Sequence, residues 1–120
     1  MAETLKQVIT DGVGALKGKE GYAVKATATN KTVELATLNA DCIGIIINDG
    51  PVNVGVALPG EVTHAVFGVS VDFGQELKSD ANGKLIPAGG TGDDNVIALA
   101  LEDGAADNGL YKVKLVKYVK

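Results

Sequence analysis

The chain has 120 residues, enough for one domain with a substantial hydrophobic core, and 46% of them are hydrophobic. Its net charge of −4 at pH 7 comes from fifteen acidic residues against eleven lysines, and it has no arginine, no tryptophan and only two phenylalanines and three tyrosines. Proteins that bind nucleic acids usually carry a basic surface with arginine and stacking aromatics, so direct nucleic-acid binding is not expected. No apolar run approaches the ~18 residues of a membrane span, and residues 1–6 lack the pattern of a secretory signal.

Residues 1–20 differ in pattern from the rest of the chain. Apolar residues recur there at helical spacing, but three glycines in the same stretch disfavour a stable helix. We therefore predict an N-terminal arm or edge segment. Such a segment often docks on another subunit, because a lone strand cannot satisfy its own backbone hydrogen bonds.

From residue 21 onward the pattern is typical of β-strands. Residues 52–56 alternate with period two, and Asn82-Gly83 indicates a hairpin because this dipeptide tolerates the positive φ angles of tight turns. Near the C-terminus, apolar residues alternate with lysines, which predicts a strand with one solvated face. We predict an all-β fold: a compact domain over residues 21–120, resembling a β-sandwich or a barrel.

Two segments of this domain, about 21–70 and 74–119, repeat the same order of features. Each begins with a glycine and a short strand that ends in lysine, at Lys25 and at Lys78. Each continues through a polar turn to an apolar run, an acidic turn and a final alternating run. The sequence therefore predicts one domain built from two related β-units.

The residue types that carry chemistry are scarce and lack partners in the sequence. His64 and Cys42 are the only histidine and cysteine, and Ser70 and Ser79 lie outside any nucleophile motif. The glycine-rich residues 12–19 fail as a phosphate loop, because Glu20 stands where serine or threonine is required. We expect no catalytic, cofactor-binding or metal site, and therefore no enzyme. The single cysteine favours a reducing compartment.

Four lysines are clustered near the C-terminus, at positions 112, 114, 117 and 120. Charges on an edge strand protect it from pairing with other chains. Alternatively, the same charges favour docking on an acidic protein surface. Both interpretations are compatible with the sequence.

From Gly44 onward, roughly two-thirds of the chain is similar to a family of bacteriophage capsid cement proteins, once labelled as RecA/RadA-like recombinases. The resemblance depends on the order and spacing of weak motifs, since each motif alone is unspecific. These motifs are Gly44, the turn 48–50, the alternating valines 52–56, Gly60-Glu61-Val62, the strand 74–77, the hairpin 80–84, residues 96–106 and Val113-Lys114-Leu115.

The resemblance implies a compact β-domain, usually a homotrimer, on the exterior of the capsid in the virion. Its partner would be the major capsid protein, and its role would be to bridge neighbouring capsid subunits and stabilise the expanded head. Many weak contacts act together as a strong clamp. The residues predicted to contact the capsid or another subunit are Leu5, Val8, Ile9, Val13, Lys112 and Lys114.

Two other classes of function remain open. One is a different virion structural protein, such as a tail or fibre subunit. The other is a carrier domain of the biotinyl or lipoyl type, for which Lys84, next to the predicted hairpin turn, is the only candidate for modification.

Overall fold

The computed structural model describes residues 7–12, 16, 18–28, 32–48, 53–89 and 93–120, and its regular elements are all β-strands. The ten strands are β1 (Gln7–Gly12), β2 (Ala23–Ala26), β3 (Thr32–Leu35), β4 (Gly44–Asn48), β5 (Asn53–Ala57), β6 (Val62–Ala65), β7 (Glu76–Ser79), β8 (Leu85–Pro87), β9 (Asn95–Ala100) and β10 (Tyr111–Val119). The predicted all-β fold is confirmed. Within the described ranges, no helix has the length and apolar character needed to cross a membrane.

The first five strands form a closed barrel in the order β1-β3-β2-β4-β5. Its neighbouring strands are antiparallel except β1 and β3, which pair in parallel at Asp11–Thr32 and Gly12–Val33 and so close the ring. Closure joins the two strands that would otherwise be the edges of an open sheet.

The last five strands form a second, antiparallel sheet in the order β6-β10-β9-β7-β8. In the described ranges, its two ends meet at an isolated parallel bridge between Phe67 and Leu85. β6 ends at Ala65, and the chain bends at Gly68.

The two sheets have the same connectivity. Read from β3, the barrel runs β3-β2-β4-β5-β1; read from β8, the second sheet runs β8-β7-β9-β10-β6. The parallel contact recurs at matching positions, Gly12–Val33 in the barrel and Phe67–Leu85 in the second sheet. The strand order therefore places β1 in the first unit and β6 in the second, whereas the sequence pattern left β1 outside the repeat and placed β6 in the first unit.

Residues 7–12 are not an arm. β1 pairs with β5 at five positions, from Gln7–Ala57 to Asp11–Asn53, and with β3 at two. The prediction of an arm or edge strand is wrong for this stretch, because its backbone hydrogen bonds are made inside the chain rather than on another subunit. Residues 1–6, 13–15 and 17, which include the predicted contacts Leu5 and Val13, lie outside the described residues.

Two hydrophobic clusters hold the molecule together. The barrel interior is aliphatic and is filled by Leu16, Val24, Val33, Ile46, Val54 and Val56. The second cluster joins outward-facing residues of the barrel to inward-facing residues of the second sheet. Its members include Ala23, Ile45 and Ala57 from the barrel, and Phe67, Leu77, Leu85, Val113 and Leu115 from the sheet. Because side chains alternate along a strand, Val24 fills the barrel while Ala23 supports the second sheet.

Polar contacts also link the two units. The backbone N–H of Asn95 donates to Asn39 Oδ1 at 2.8 Å, and Asn95 Nδ2 donates to the Asn39 carbonyl at 2.9 Å. The Asn39 N–H donates to the Ser79 carbonyl at 2.9 Å. These hydrogen bonds fix the loop after β3 against the second sheet.

Candidate functional site

In the described part of the chain, none of the side chains that could carry chemistry is arranged as a reactive group. Burial raises the pKa of the Cys42 thiol to about 12, and the Asp41 carboxylate contributes to the rise. The thiol therefore stays protonated at neutral pH. Ser79 is buried, and its hydroxyl donates to the Asp80 carbonyl at 2.8 Å. Among the described residues, no group of three or more His, Cys, Asp or Glu is placed to hold a metal ion.

The structure separates the predicted contact residues into two sets. Val8 and Ile9 belong to β1, inside the barrel sheet. Lys112 and Lys114 belong to β10, in the second sheet, and both are exposed. The two sets belong to different sheets, and their contact with the capsid or with another subunit stays a prediction.

Lys112 and Lys114 share one face with two residues of β6. The register places Lys112 opposite His64 and Lys114 opposite Val62, and all four residues are exposed. Val62 is 57% exposed, which is high for a valine in a strand. We call this surface the β6–β10 face. It presents two ammonium groups, an imidazole and an apolar side chain.

The two lysines of this face differ from the other described lysines. Four of the others form ion pairs, namely Lys25–Glu34, Lys78–Asp94, Lys117–Asp41 and Lys120–Glu76. Lys19 lies over the Tyr22 ring, and Lys84 Nζ donates to Asn108 Oδ1 at 3.3 Å. Within the described ranges, Lys112 and Lys114 alone among the lysines have neither an ion pair nor a polar or aromatic partner for the ammonium group. Their charge is therefore available to an external partner.

Sequence reasoning found the lysines but missed their neighbours. Alternation along residues 62–66 places His64 on the face opposite Thr63 and Ala65, and the exposure of His64 beside the buried Ala65 agrees with this. It gave no information on which strand lies beside β6, and β10 lies far away in the sequence. The exposure of Val62 is visible only in the structure, so the lysines themselves are the one feature of this surface that the sequence indicates.

The distal end of β10 is fixed by a separate polar cluster. Glu76 on β7 accepts a hydrogen bond from the Tyr118 hydroxyl and pairs with Lys120 Nζ at 2.6 Å. The hydrogen bond from Lys120, followed by that from Tyr118, lowers the pKa of Glu76. The hydrogen bond to Glu76 raises the pKa of Tyr118 to about 12.

A groove of about 240 Å³ lies beside this end of the strand. It is lined by Asp41, residues 95–97 and residues 117–119. The Lys117–Asp41 ion pair, at 3.1 Å, joins two of the residues that line it. The lysine of this groove is therefore paired, whereas the two ammonium groups of the β6–β10 face form no ion pair in the described part of the chain.

Comparison with solved structures identifies a similar fold in a bacteriophage protein. The crystal structure of the N base of the head fibre protein gp8.5 of bacteriophage phi29 superposes with a TM-score of 0.64 at 13% sequence identity, covering 92% of this chain and 92% of that chain. No protein-family model matches the chain, and no curated protein matches it either. At this level of identity, the similarity establishes a shared fold over nearly the whole length of both chains.

Proposed function

We propose that this protein is a structural component of a bacteriophage virion and that it acts as a capsid decoration, or cement, protein on the outside of the head. The observation that carries the proposal is the fold shared with the phi29 head fibre base across nearly all of both chains. The ordered motifs that resemble the cement family support the narrower role. A structural role rather than a catalytic one agrees with the engaged and buried states of Cys42 and Ser79.

The mechanism is mechanical. The protein presents a rigid body with two hydrophobic clusters and a charged, exposed β6–β10 face. Electrostatic attraction between this face and acidic patches of the major capsid protein would bring the two together. Many copies bound around the expanded head would then oppose the outward pressure of the packaged DNA, because the contacts act collectively.

A head-fibre subunit is the second candidate. The neighbour in fold is the N base of a head fibre protein. The two roles differ in whether the protein covers the head surface or anchors a longer projection.

The carrier-domain alternative receives little support from the position of Lys84. The side chain is half-buried, and its Nζ donates to Asn108 Oδ1 rather than projecting freely into solvent. A swinging arm requires a lysine that is free at a hairpin tip. An intact mass of 12.2 kDa for the native protein would agree with an unmodified lysine.

The test is cosedimentation with purified heads and, separately, with purified tails of the phage that carries the gene. We expect binding to expanded heads only, and a distribution over the head surface in negative-stain micrographs. The double variant Lys112→Gln/Lys114→Gln should weaken binding by about tenfold or more, since each charge pair at an interface contributes on the order of 1 kcal/mol or more. Lys117→Gln is the matched control from the same strand, because this lysine is already paired with Asp41.

Binding to tails and not to heads would overturn the decoration role. Attachment at a few fixed points, each with a projection, would favour the head-fibre role. Deleting residues 2–6 tests the N-terminal contact predicted at Leu5 without removing β1 from the barrel.

A further inference from the structure

β6 has one edge that is paired and one that is partly free. The Leu115 N–H donates to the Glu61 carbonyl at 2.7 Å, and the register continues through Thr63–Val113 and Ala65–Tyr111. Backbone groups alternate in direction along an antiparallel ladder. Thr63 and Ala65 therefore point their N–H and C=O groups toward β10, and Val62 and His64 point theirs away from it.

The edge of β6 that faces away from β10 is paired at Val66 and free at Val62 and His64. Val66 has the same backbone direction as Val62 and His64, and its N–H donates to the Gly21 carbonyl at 3.0 Å. Its carbonyl accepts from the Leu85 N–H at 2.9 Å. Within the described ranges, the N–H and C=O groups of Val62 and His64 have no comparable partner. In the described part of the chain, these two residues thus offer four unpaired backbone groups, namely two N–H and two C=O groups.

The side chains around this edge favour an acidic occupant. Lys112 and Lys114 lie directly across from His64 and Val62, and neither ammonium group has an ion-pair partner among the described residues. The Glu102 carboxylate accepts a hydrogen bond at 2.7 Å from the backbone N–H of Lys112 and not from its ammonium group. A strand added along β6 would lie about 4.8 Å from it and about twice that from β10. Lysine side chains on β10 can reach across that spacing. Carboxylates on alternate residues of the added strand share one face and would meet them, while the intervening residues would point to the other face of the sheet.

A second copy of this chain fits the edge poorly. Pairing of two β6 edges would bring two copies of the same cationic face together, and like charges side by side on a sheet are destabilising. Lysines on an edge are a recognised protection against self-pairing. The same lysines attract a strand of opposite charge.

We propose that β6 accepts an extended, acidic segment of a partner protein, which adds to the second sheet as a further strand along Val62–His64. This mode of recognition gains affinity from main-chain hydrogen bonds and specificity from alternate side chains. That the segment belongs to a subunit of the phage head rests on the proposed function. That the segment is extended and acidic follows from the edge and its lysines alone.

The first experiment measures amide exchange by NMR in the full-length protein, alone and with a synthetic ten-residue peptide in which glutamate alternates with valine and threonine. We expect the Val62 and His64 amides to exchange rapidly in the free protein and at least about tenfold more slowly with saturating peptide. The Thr63 amide, already bonded to β10, serves as the internal reference. A peptide with lysine in place of glutamate should leave exchange unchanged.

Two variants separate the edge from its charges. His64→Pro removes an N–H that points away from β10, and proline is tolerated on an edge strand in that position. It should abolish peptide binding while Lys112 and Lys114 remain in place. Lys112→Gln/Lys114→Gln should weaken binding about tenfold with the edge intact. If His64→Pro fails to fold, the exchange measurement on the unmodified protein still decides the proposal.

The outcomes distinguish this inference from the proposed function. Binding to heads with unchanged exchange at Val62 and His64 would overturn the strand addition and leave the decoration role standing. Slowed exchange with the acidic peptide, but no binding to heads, would support the edge site and overturn the decoration role. Slow exchange of both amides in the free protein would mean that a segment of the same chain already occupies the edge, and would overturn the inference.

Discussion

The barrel and the second sheet share one strand order but differ in how they are filled and closed. The barrel encloses an aliphatic core of its own, whereas the inner face of the second sheet packs on small residues of the barrel's outer face, such as Ala23 and Ala57. The barrel is closed by parallel pairing of β1 with β3, and the second sheet by one bridge at Phe67–Leu85. The same topology therefore produces a barrel with its own core and a sheet that packs on the barrel. Part of one edge of that sheet is unpaired.

A pair of equivalent lysines shows the same contrast. Lys25 on β2 pairs with Glu34 on the surface, and their side chains are 32% and 46% exposed. Lys78 occupies the corresponding position on β7, but it pairs with Asp94, and these side chains are only 18% and 8% exposed. The ion pair of the barrel is solvated, and that of the second sheet is nearly buried. Equivalent lysines on equivalent strands therefore form ion pairs that differ in their exposure to solvent.

The largest expected effect comes from breaking the barrel at Gly44. A Cβ at this position would lie 2.0 Å from the Ala57 carbonyl oxygen and 2.6 Å from Val56 Cγ1. Gly44→Ala should therefore lower the free energy of unfolding by about 3 kcal/mol, since overpacking against backbone forces strands apart. Urea denaturation followed by circular dichroism measures the change.

Gly89→Ala is the control for this substitution. A Cβ there would make only an ordinary contact, 3.5 Å from Asp94 Oδ2. It should leave the midpoint of the urea transition nearly unchanged. Equal midpoints for Gly44→Ala and the unmodified protein would show that the close approach of β4 and β5 does not restrict this position to glycine.

A smaller effect is expected from the two lysines. Lys78→Met removes the cation beside the nearly buried Asp94 carboxylate and should cost about 2 kcal/mol. Lys25→Met removes a solvated pair and should cost about 0.5 kcal/mol or less. Chemical denaturation of both variants gives the comparison. Similar losses would contradict the difference between the two units.

The smallest effect concerns the pH response at the end of β10. Because the folded-state pKa of Glu76 is lowered by Lys120 and Tyr118, the contact is stabilising above the ordinary carboxyl pKa of 4.5. Its contribution should be lost as the pH falls through the lower folded value. Amide exchange of the last residues of β10 should therefore accelerate in acid, and Glu76→Gln should remove this dependence.

Tyr118 gives the opposite dependence at high pH. Its folded-state pKa is raised from 10.0 to about 12, so the stabilisation is present below pH 10 and lost between these two values. An ultraviolet titration of tyrosine should show a component with a midpoint near 12, absent in Tyr118→Phe. Persistence of that component in the variant would assign it to another tyrosine.

The sequence alone determined the all-β class and the local turns. Alternating valines, glycine-containing turns and the hairpin at 80–84 are local signals, and the structure shows Asp80 Oδ1 accepting from the N–H groups of Asn82 and Lys84 at 2.8 and 3.0 Å. Alternation also placed His64 on the correct face of its strand. These features depend on residues close in the sequence, so a linear pattern is sufficient to predict them.

Only the tertiary structure decided the role of β1 and the composition of the β6–β10 face. Residues 7–12 pair with β5 and β3, which lie far along the chain, and their glycine-rich surroundings gave no indication of these partners. Lys112 meets His64 through an antiparallel register that no local pattern specifies. Nonlocal pairing depends on the packing of the whole domain, because the same strand can satisfy its backbone on several partners. The sequence supplied the strands and the charges, and packing decided which of them became neighbours and which edge stayed open.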